Sequence, residues 1–209
     1  MKLVKTIRKL ESGVKTTLVA IGDSLTYGWM VRKGYLDFFD EMLRKIFPNS
    51  RFQLINRGIP GDTAEGGLYR FKRDVLDFHP DCVLIQFALN DAFSGCRVAD
   101  FEVSVQQMID AVREESEVEA VLITSVYMAE ERERRIADEF YRCLEYLAQA
   151  NTLPLARVHA YWKAHIDEGP AFRTLVQGDL VHPTEAGYRL MAAAVMELFD
   201  DRGNPHEKN

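Results

Sequence analysis

The chain has 209 residues, 47% of them hydrophobic and 28% charged, enough to bury one sizeable core. A net charge of -6 gives no electrostatic footprint for nucleic acid and none for an anionic membrane surface. Three widely spaced cysteines, Cys82, Cys96 and Cys143, offer neither a disulfide framework nor a CxxC metal pattern, which points to a reducing cytoplasm.

Residues 1–15 read as a polar lead-in. Basic residues in Met1–Leu10 are not followed by the apolar run of a signal peptide, and no apolar stretch approaches the length of a membrane span. A strand at about 16–21 ends abruptly in Gly22-Asp23-Ser24, and a loop through Gly28 and Gly34 leads to a helix at about 35–47. That helix places Leu36, Phe39, Met42, Leu43 and Ile46 on one face, and Pro48-Asn49 stops it. Phe52–Asn56 is a second strand, followed by the loop Arg57–Thr63. A helix at about 64–78 buries Leu68, Phe71, Val75 and Phe78 and ends at His79-Pro80-Asp81. Cys82–Phe87 is a central third strand, and Asn90-Asp91 opens the loop after it.

Phe101, Val105, Met108, Ile109 and Val112 mark a helix at about 100–115, before a fourth strand at Val121–Thr124. The helix at about 132–150 presents Ile136, Phe140, Cys143, Leu144 and Leu147 on one face, and Pro154–Val158 is a short fifth strand. Residues 160–182 are less regular, with one short helix before Gly169-Pro170. A final helix at about 183–200 has Pro183 in its first turn, and the polar tail is Asp201–Asn209. Five strand–helix alternations without repeat or linker predict one three-layer α/β/α domain over 1–209, its first 15 and last 9 residues peripheral. Its five-stranded parallel sheet is flavodoxin-like, in the order 2-1-3-4-5.

Loops after the strands of such a sheet rise on one side, and three of them, with the loop before the last helix, carry residues suited to acyl transfer. Ser24 follows the first strand, Gly61 the second and Asn90 the third, while Asp179 and His182 precede the last helix. Acyl transfer needs a nucleophile, a base, a group orienting the base and donors toward the developing oxyanion. Ser24 fits the nucleophile, His182 the base and Asp179 its orienting acid. The backbone N–H groups of Ser24 and Gly61, with the Asn90 amide, fit the oxyanion donors. Each residue also has a plainer role: Asp23-Ser24 as a turn or cap, Gly61 as a positive-φ hinge, Asn90 as a cap. Asp62 and Asp91 are expected to hydrogen-bond their own loops, and His79, His159, His165 and His206 to be structural or solvated. Tyr27, Trp29, Met30, Phe93, Tyr127 and Met128 fall in loops at the same end, where they either line a pocket or pin those loops.

Gly22-Asp23-Ser24-Leu25, Gly58-Ile59-Pro60-Gly61-Asp62-Thr63, Asn90-Asp91 and Asp179-Leu180-Val181-His182 resemble, in order, the four blocks of the SGNH (GDSL-type) hydrolases. The resemblance implies a flavodoxin-like fold and a metal-free, cofactor-free serine esterase acting on small-molecule acyl esters of small or medium chain, a carboxylesterase or O-deacetylase, with thioesterase and lysophospholipase activities open to the same chemistry. By position, Ser24, Gly61, Asn90 and His182 take the four namesake roles, with Asp179 completing the triad. The family's third block ordinarily reads Gly-x-Asn-Asp, whereas Ala88 stands at the glycine position here. An acyltransferase using the same triad is an alternative outcome of the same chemistry. A flavodoxin-like binding module cradling phosphate with Gly58–Gly67 is another, although neither GxxxxGK[ST] nor GxGxxG follows the first strand. Oligomeric state is not written in the sequence.

Overall fold

A computed structural model describes residues 3–169 and 171–200. Its centre is a five-stranded, all-parallel sheet in the order β2-β1-β3-β4-β5. The strands are β1 (Lys15–Gly22), β2 (Arg51–Gly58), β3 (Cys82–Gln86), β4 (Glu119–Ile123) and β5 (Leu155–Ala156). Leu18–Ile21, Cys82–Ile85 and Val121–Ile123 are almost wholly buried, because helices cover both faces of a parallel sheet. Between the strands run α2 (Ser24–Tyr27), α3 (Tyr35–Ile46), α4 (Ala64–Asp74), α5 (Leu89–Phe93), α6 (Val98–Arg113) and α7 (Glu131–Asn151). After the sheet come α8 (Val158–Glu168), α9 (Phe172–Leu175) and α10 (Glu185–Met196). One group of helices is α3, α8 and α10, and the other is α4, α6 and α7.

The register aligns the strand ends. Gly22 pairs with both Gly58 and Gln86, and Gln86 pairs with Ile123. Residues just past these four positions therefore emerge side by side. Gly58 is required here by proximity: a Cβ on it would stand 2.2 Å from the Tyr27 amide nitrogen, so α2 can lie directly on the end of β2.

Several sequence expectations are corrected. The lead-in contains a helix, α1 (Val4–Ser12), whose buried Ile7 and Leu10, with Leu3 before it, pack on the core. Its first-turn donors are met from β4: the Glu119 carboxylate accepts from Thr6 N–H at 2.7 Å and Thr6 Oγ1 at 2.8 Å. The helix expected over 64–78 ends at Asp74 and continues as a short 3₁₀ turn, Leu76–Phe78, because the chain must reverse through left-handed His79 (φ 48°) to enter β3. Leu68 and Phe78 are only half-buried. Pro183 lies before the last helix and not within it. Thr184 caps α10 by accepting from Gly187 N–H, and Pro183 pairs instead with Val176 in an isolated antiparallel bridge. The segment over 160–182 is more helical than its pattern suggested, since α8 buries only Val158 and Trp162 and leaves little periodic signal. Residues 201–209 lie outside the described residues.

Candidate active site

Ser24 opens α2 immediately beyond β1. Its Oγ lies 2.9 Å from Nε2 of His182, whose Nδ1 lies 2.6 Å from Asp179 Oδ2. The loop carrying the last two residues is tightly tied. Gln177 N–H donates to the His182 carbonyl at 2.7 Å, and Leu180 N–H donates to the Gln177 carbonyl at 3.1 Å. Left-handed Leu180 (φ 62°) allows this turn. Asp179 Oδ1 accepts from the N–H groups of Val181 (3.0 Å) and His182 (2.9 Å), which leaves Oδ2 for the imidazole. Partial burial works to raise the Asp179 carboxyl, but the His182 contact and these two backbone donors outweigh it and hold it below its ordinary value. An ionised carboxylate on Nδ1–H fixes the tautomer with a bare Nε2 facing Ser24.

Gly61 lies on the loop after β2 with φ 81°, and nothing stands within 4 Å of where a Cβ would be. Its glycine is therefore demanded by backbone conformation and not by crowding. Asn90 sits on the short helix α5 and not in the open loop expected; its Nδ2 donates to the Asp62 carbonyl at 2.9 Å. That bond uses one of two amide hydrogens and orients the other. Asn90→Ala tests whether that second hydrogen serves an oxyanion: loss of a donor in that role typically costs about 2.7–4 kcal/mol of transition-state stabilisation, which would lower kcat by roughly 10²–10³-fold with KM little changed in steady-state assays on an acetate ester. Ala88, at the glycine position of this block, is fully buried with φ 156° and ψ -46°, a conformation glycine adopts more readily. The methyl is accommodated and the loop conformation is strained, by about 1–3 kcal/mol for such backbone outliers.

Three residues that sequence reasoning passed over, and Asp91, which it singled out, support this arrangement. Arg70 on α4, only 6% exposed, donates from Nε to Asp62 Oδ2 (2.8 Å) and from Nη1 to the Arg57 carbonyl (2.8 Å) and Asp74 Oδ2 (3.1 Å). Its Nη2 donates to the Gly22 carbonyl at 3.1 Å. One guanidinium thus ties the ends of β1 and β2 to the loop bearing Gly61. Gln177 and Tyr188 fasten the segment after Ser24: Gln177 Nε2 donates to the Trp29 carbonyl, and the Tyr188 hydroxyl accepts from Trp29 N–H. Asp91 does not serve its own loop alone; its Oδ1 accepts from Ala64 N–H at 3.0 Å and so joins α5 to α4. Only its position in a known block marked it.

Asp23, beneath Ser24, is 1% exposed and accepts from Leu25 N–H at 2.8 Å, with Gln86 Nε2 3.4 Å from its other oxygen. Burial pushes its carboxyl up to about 7; those two hydrogen bonds oppose the shift, and Asp91 and Asp62 add to it. An acid whose folded value lies above its ordinary 3.8 stabilises the fold when protonated and loses that contribution as pH rises from about 4 to about 7. Asp23→Asn keeps the acceptor for Leu25 but cannot ionise. Relative to wild type it should gain up to about 4 kcal/mol in unfolding free energy between pH 4 and pH 8, measurable by urea titration.

Of the other histidines, His159 is structural, as expected. Its Nδ1 lies 2.8 Å from Thr124 Oγ1, its ring stacks on Tyr141, and burial pushes it down to about 4. His206 lies outside the described residues. Among the described residues no cluster of three or more His, Cys, Asp or Glu could hold a metal ion, and no helix is long and apolar enough to cross a membrane.

The sequence matches the GDSL-like Lipase/Acylhydrolase family over residues 20–190, most of its length. The chain belongs to that family. This GDSL protein is accordingly a serine ester hydrolase, and its sheet order is the flavodoxin-like one. Curated relatives include an acetylxylan esterase of Geobacillus stearothermophilus, 22% identical over 213 residues and covering 90% of this chain and 94% of that one. An arylesterase of Vibrio mimicus is 27% identical over 160 residues, covering 73% and 78%. The crystal structure of the Geobacillus enzyme shares the fold with a TM-score of 0.79 at 21% identity, covering 88% of this chain and 94% of that chain. An alpha/beta hydrolase from the metagenome of Lake Arreo shares it with a TM-score of 0.78 at 21% identity, covering 89% and 97%. Solved catalytic mutants of the Geobacillus esterase replace a serine, an aspartate and a histidine by alanine.

Proposed function

We propose that this GDSL hydrolase cleaves esters of short acyl groups, acetate foremost, through an acyl-enzyme on Ser24. The observation that carries the reading is the unbroken chain Ser24 Oγ–His182 Nε2 (2.9 Å) and His182 Nδ1–Asp179 Oδ2 (2.6 Å) at the rim where Gly61 and Asn90 also emerge. The esterase relatives, and the three residue types replaced in the catalytic mutants of one of them, support it.

In the first half-reaction Ser24 Oγ attacks the ester carbonyl as its proton passes to His182 Nε2. The N–H groups of Ser24 and Gly61 and the Asn90 amide face the negative oxygen of the tetrahedral intermediate. Asp179 stabilises the imidazolium and stays ionised. Collapse breaks the bond to the alcohol oxygen, which leaves with the proton from His182. Water then follows the same route in reverse: His182 takes its proton, the hydroxide attacks the acyl carbon, and Ser24 recovers its proton as the acid departs. Three unpaired cysteines, two of them buried, suit a reducing compartment such as the cytoplasm. Rapid mixing with 4-nitrophenyl acetate should release a burst of nitrophenol stoichiometric with enzyme, and acid quench should leave an acetyl mass increment on the peptide containing Ser24. A linear time course with no modified serine peptide under any quench would contradict the acyl-enzyme.

A further inference from the structure

Beside the triad stands a ledge of aromatic surface. Tyr27 is 55% exposed, Trp29 37% and Met30 75%. The Trp29 indole centroid lies 6.2 Å from that of the His182 imidazole, at 41° between planes, and the Tyr27 ring lies 6.4 Å from the indole at 51°. These rings are not loosely held. Trp29 N–H is shared between the Ser24 carbonyl (3.1 Å) and the Tyr188 hydroxyl (3.1 Å), and its carbonyl accepts from Gln177 Nε2 at 3.0 Å. Gly28 (φ 85°) and Met30 (φ 57°), on either side, are both left-handed, which for a methionine requires surroundings that impose it. The backbone is thus fixed to the nucleophile, to α10 and to the histidine loop, while the ring it carries faces outward. Large apolar rings pinned in the open beside a site are the mark of a recognition surface.

The position within the reaction says which half of the substrate they meet. The departing alcohol takes its proton from His182 Nε2, so its oxygen must come within hydrogen-bond reach of that nitrogen. Whatever carries that oxygen lies next to the imidazole, where Trp29 stands. We propose that Trp29 and Tyr27 form a platform for the alcohol half of the ester, and that this half is a six-membered ring with a flat apolar face, a pyranose or an aryl ring. The proposal rests on His182 acting as the acid toward the leaving alcohol. A flat ring covers an indole face in a way that a short alkyl chain does not, and dispersion and desolvation both scale with the area covered. The carbonyl oxygen lies toward Gly61 and Asn90 in this reading, so the platform does not touch the oxyanion donors.

Wild type, Trp29→Ala, Trp29→Phe and Tyr27→Ala should be compared on ethyl acetate, phenyl acetate and a monoacetylated methyl xylopyranoside. Trp29→Ala is expected to raise KM for the ring esters and to lower the ring-over-ethyl ratio of kcat/KM by about tenfold, the range of a lost apolar subsite contact. Trp29→Phe should recover most of that ratio, and whichever ring loses more on Trp29→Ala identifies the preferred alcohol. A second readout needs no turnover. The sequence holds two tryptophans, and the other, Trp162, is fully buried. In a Ser24→Ala background the acetylated xylopyranoside or phenyl acetate should protect Trp29 emission from acrylamide, and Trp29→Phe should abolish the protection. Unchanged ring-over-ethyl ratios with no protection overturn the platform while leaving the hydrolase intact. Protection without hydrolysis of any ester by wild type keeps the platform as a binding surface and overturns the triad's role.

Discussion

Ser24→Ala and His182→Ala are each expected to lower kcat on an acetate ester by roughly 10⁴- to 10⁶-fold, and the double variant to lose no more than either alone. In the proposed mechanism the two side chains perform one event. Ser24 Oγ and His182 Nε2 are 2.9 Å apart, so attack and proton transfer occur together, and either group without the other is idle. Residual rate over water would come from the amide donors and from binding. Ser24 is buried but loses only a hydroxyl, and the His182 side chain is 21% exposed, so neither truncation removes much packing and both variants should keep the wild-type melting temperature. Steady-state kinetics of the three variants, with thermal unfolding as the control, measures this. Losses that multiplied in the double variant would mean that the two residues act in separate steps.

The second large effect falls on stability. Arg70→Ala is expected to destabilise the fold by about 3–5 kcal/mol, the cost of removing one partner from a buried ion pair. Asp62 and Asp74, whose side chains are 14% and 10% exposed, would lose their shared cation, and the carbonyls of Gly22 and Arg57 would lose a donor. Asp74 retains the exposed Arg73, which recovers little in water. For a chain of this size a melting temperature lower by about 6–20 °C follows. Arg70→Lys should restore only part of it, because an ammonium cannot span four acceptors in one plane. The loop carrying Gly61 and the carbonyl that orients Asn90 hang on the same guanidinium, so kcat should fall as well, below the melting transition. Differential scanning calorimetry and kinetics at 20 °C below the variant's midpoint separate the two consequences.

The sheet, and the meeting of Ser24, His182 and Asp179 at one rim of it, were legible in the sequence because both are written in local signals. Apolar runs ending in Gly22-Asp23-Ser24 and in Gln86 mark buried parallel strands, and the connection rules then leave few orders for them. Asp179 and His182 fall one turn apart, so their meeting needed no long-range knowledge, and their meeting with Ser24 followed from loops sharing one side of the sheet. What stayed hidden depends on contacts distant in sequence. The lead-in reads as polar because, among its described residues, Leu3, Ile7 and Leu10 are the only apolar side chains buried, and its helix is completed by Glu119, more than a hundred residues away. Arg70 looked like one more charged residue on an amphipathic helix. It became the hub of the Gly61 loop only once the ends of β1 and β2 were seen to converge on it. Pro183 fitted the first turn of a helix by local preference, but the pairing of Val176 with Pro183 and the Thr184 cap shift the start of α10 two residues onward. The aromatic residues of the loops could not be sorted by pattern either. Trp29 stands out through its ring contact with His182 and the hydrogen bonds that Ser24, Gln177 and Tyr188 make to its backbone.

The central claim is that Ser24 is a nucleophile made reactive by His182. A fluorophosphonate probe located by peptide mass spectrometry tests it most directly. Labelling of Ser24 alone in wild type, with labelling lost in both His182→Ala and Ser24→Ala, is the expected result. Labelling of another serine, or equal labelling of Ser24 with and without the imidazole, would contradict it.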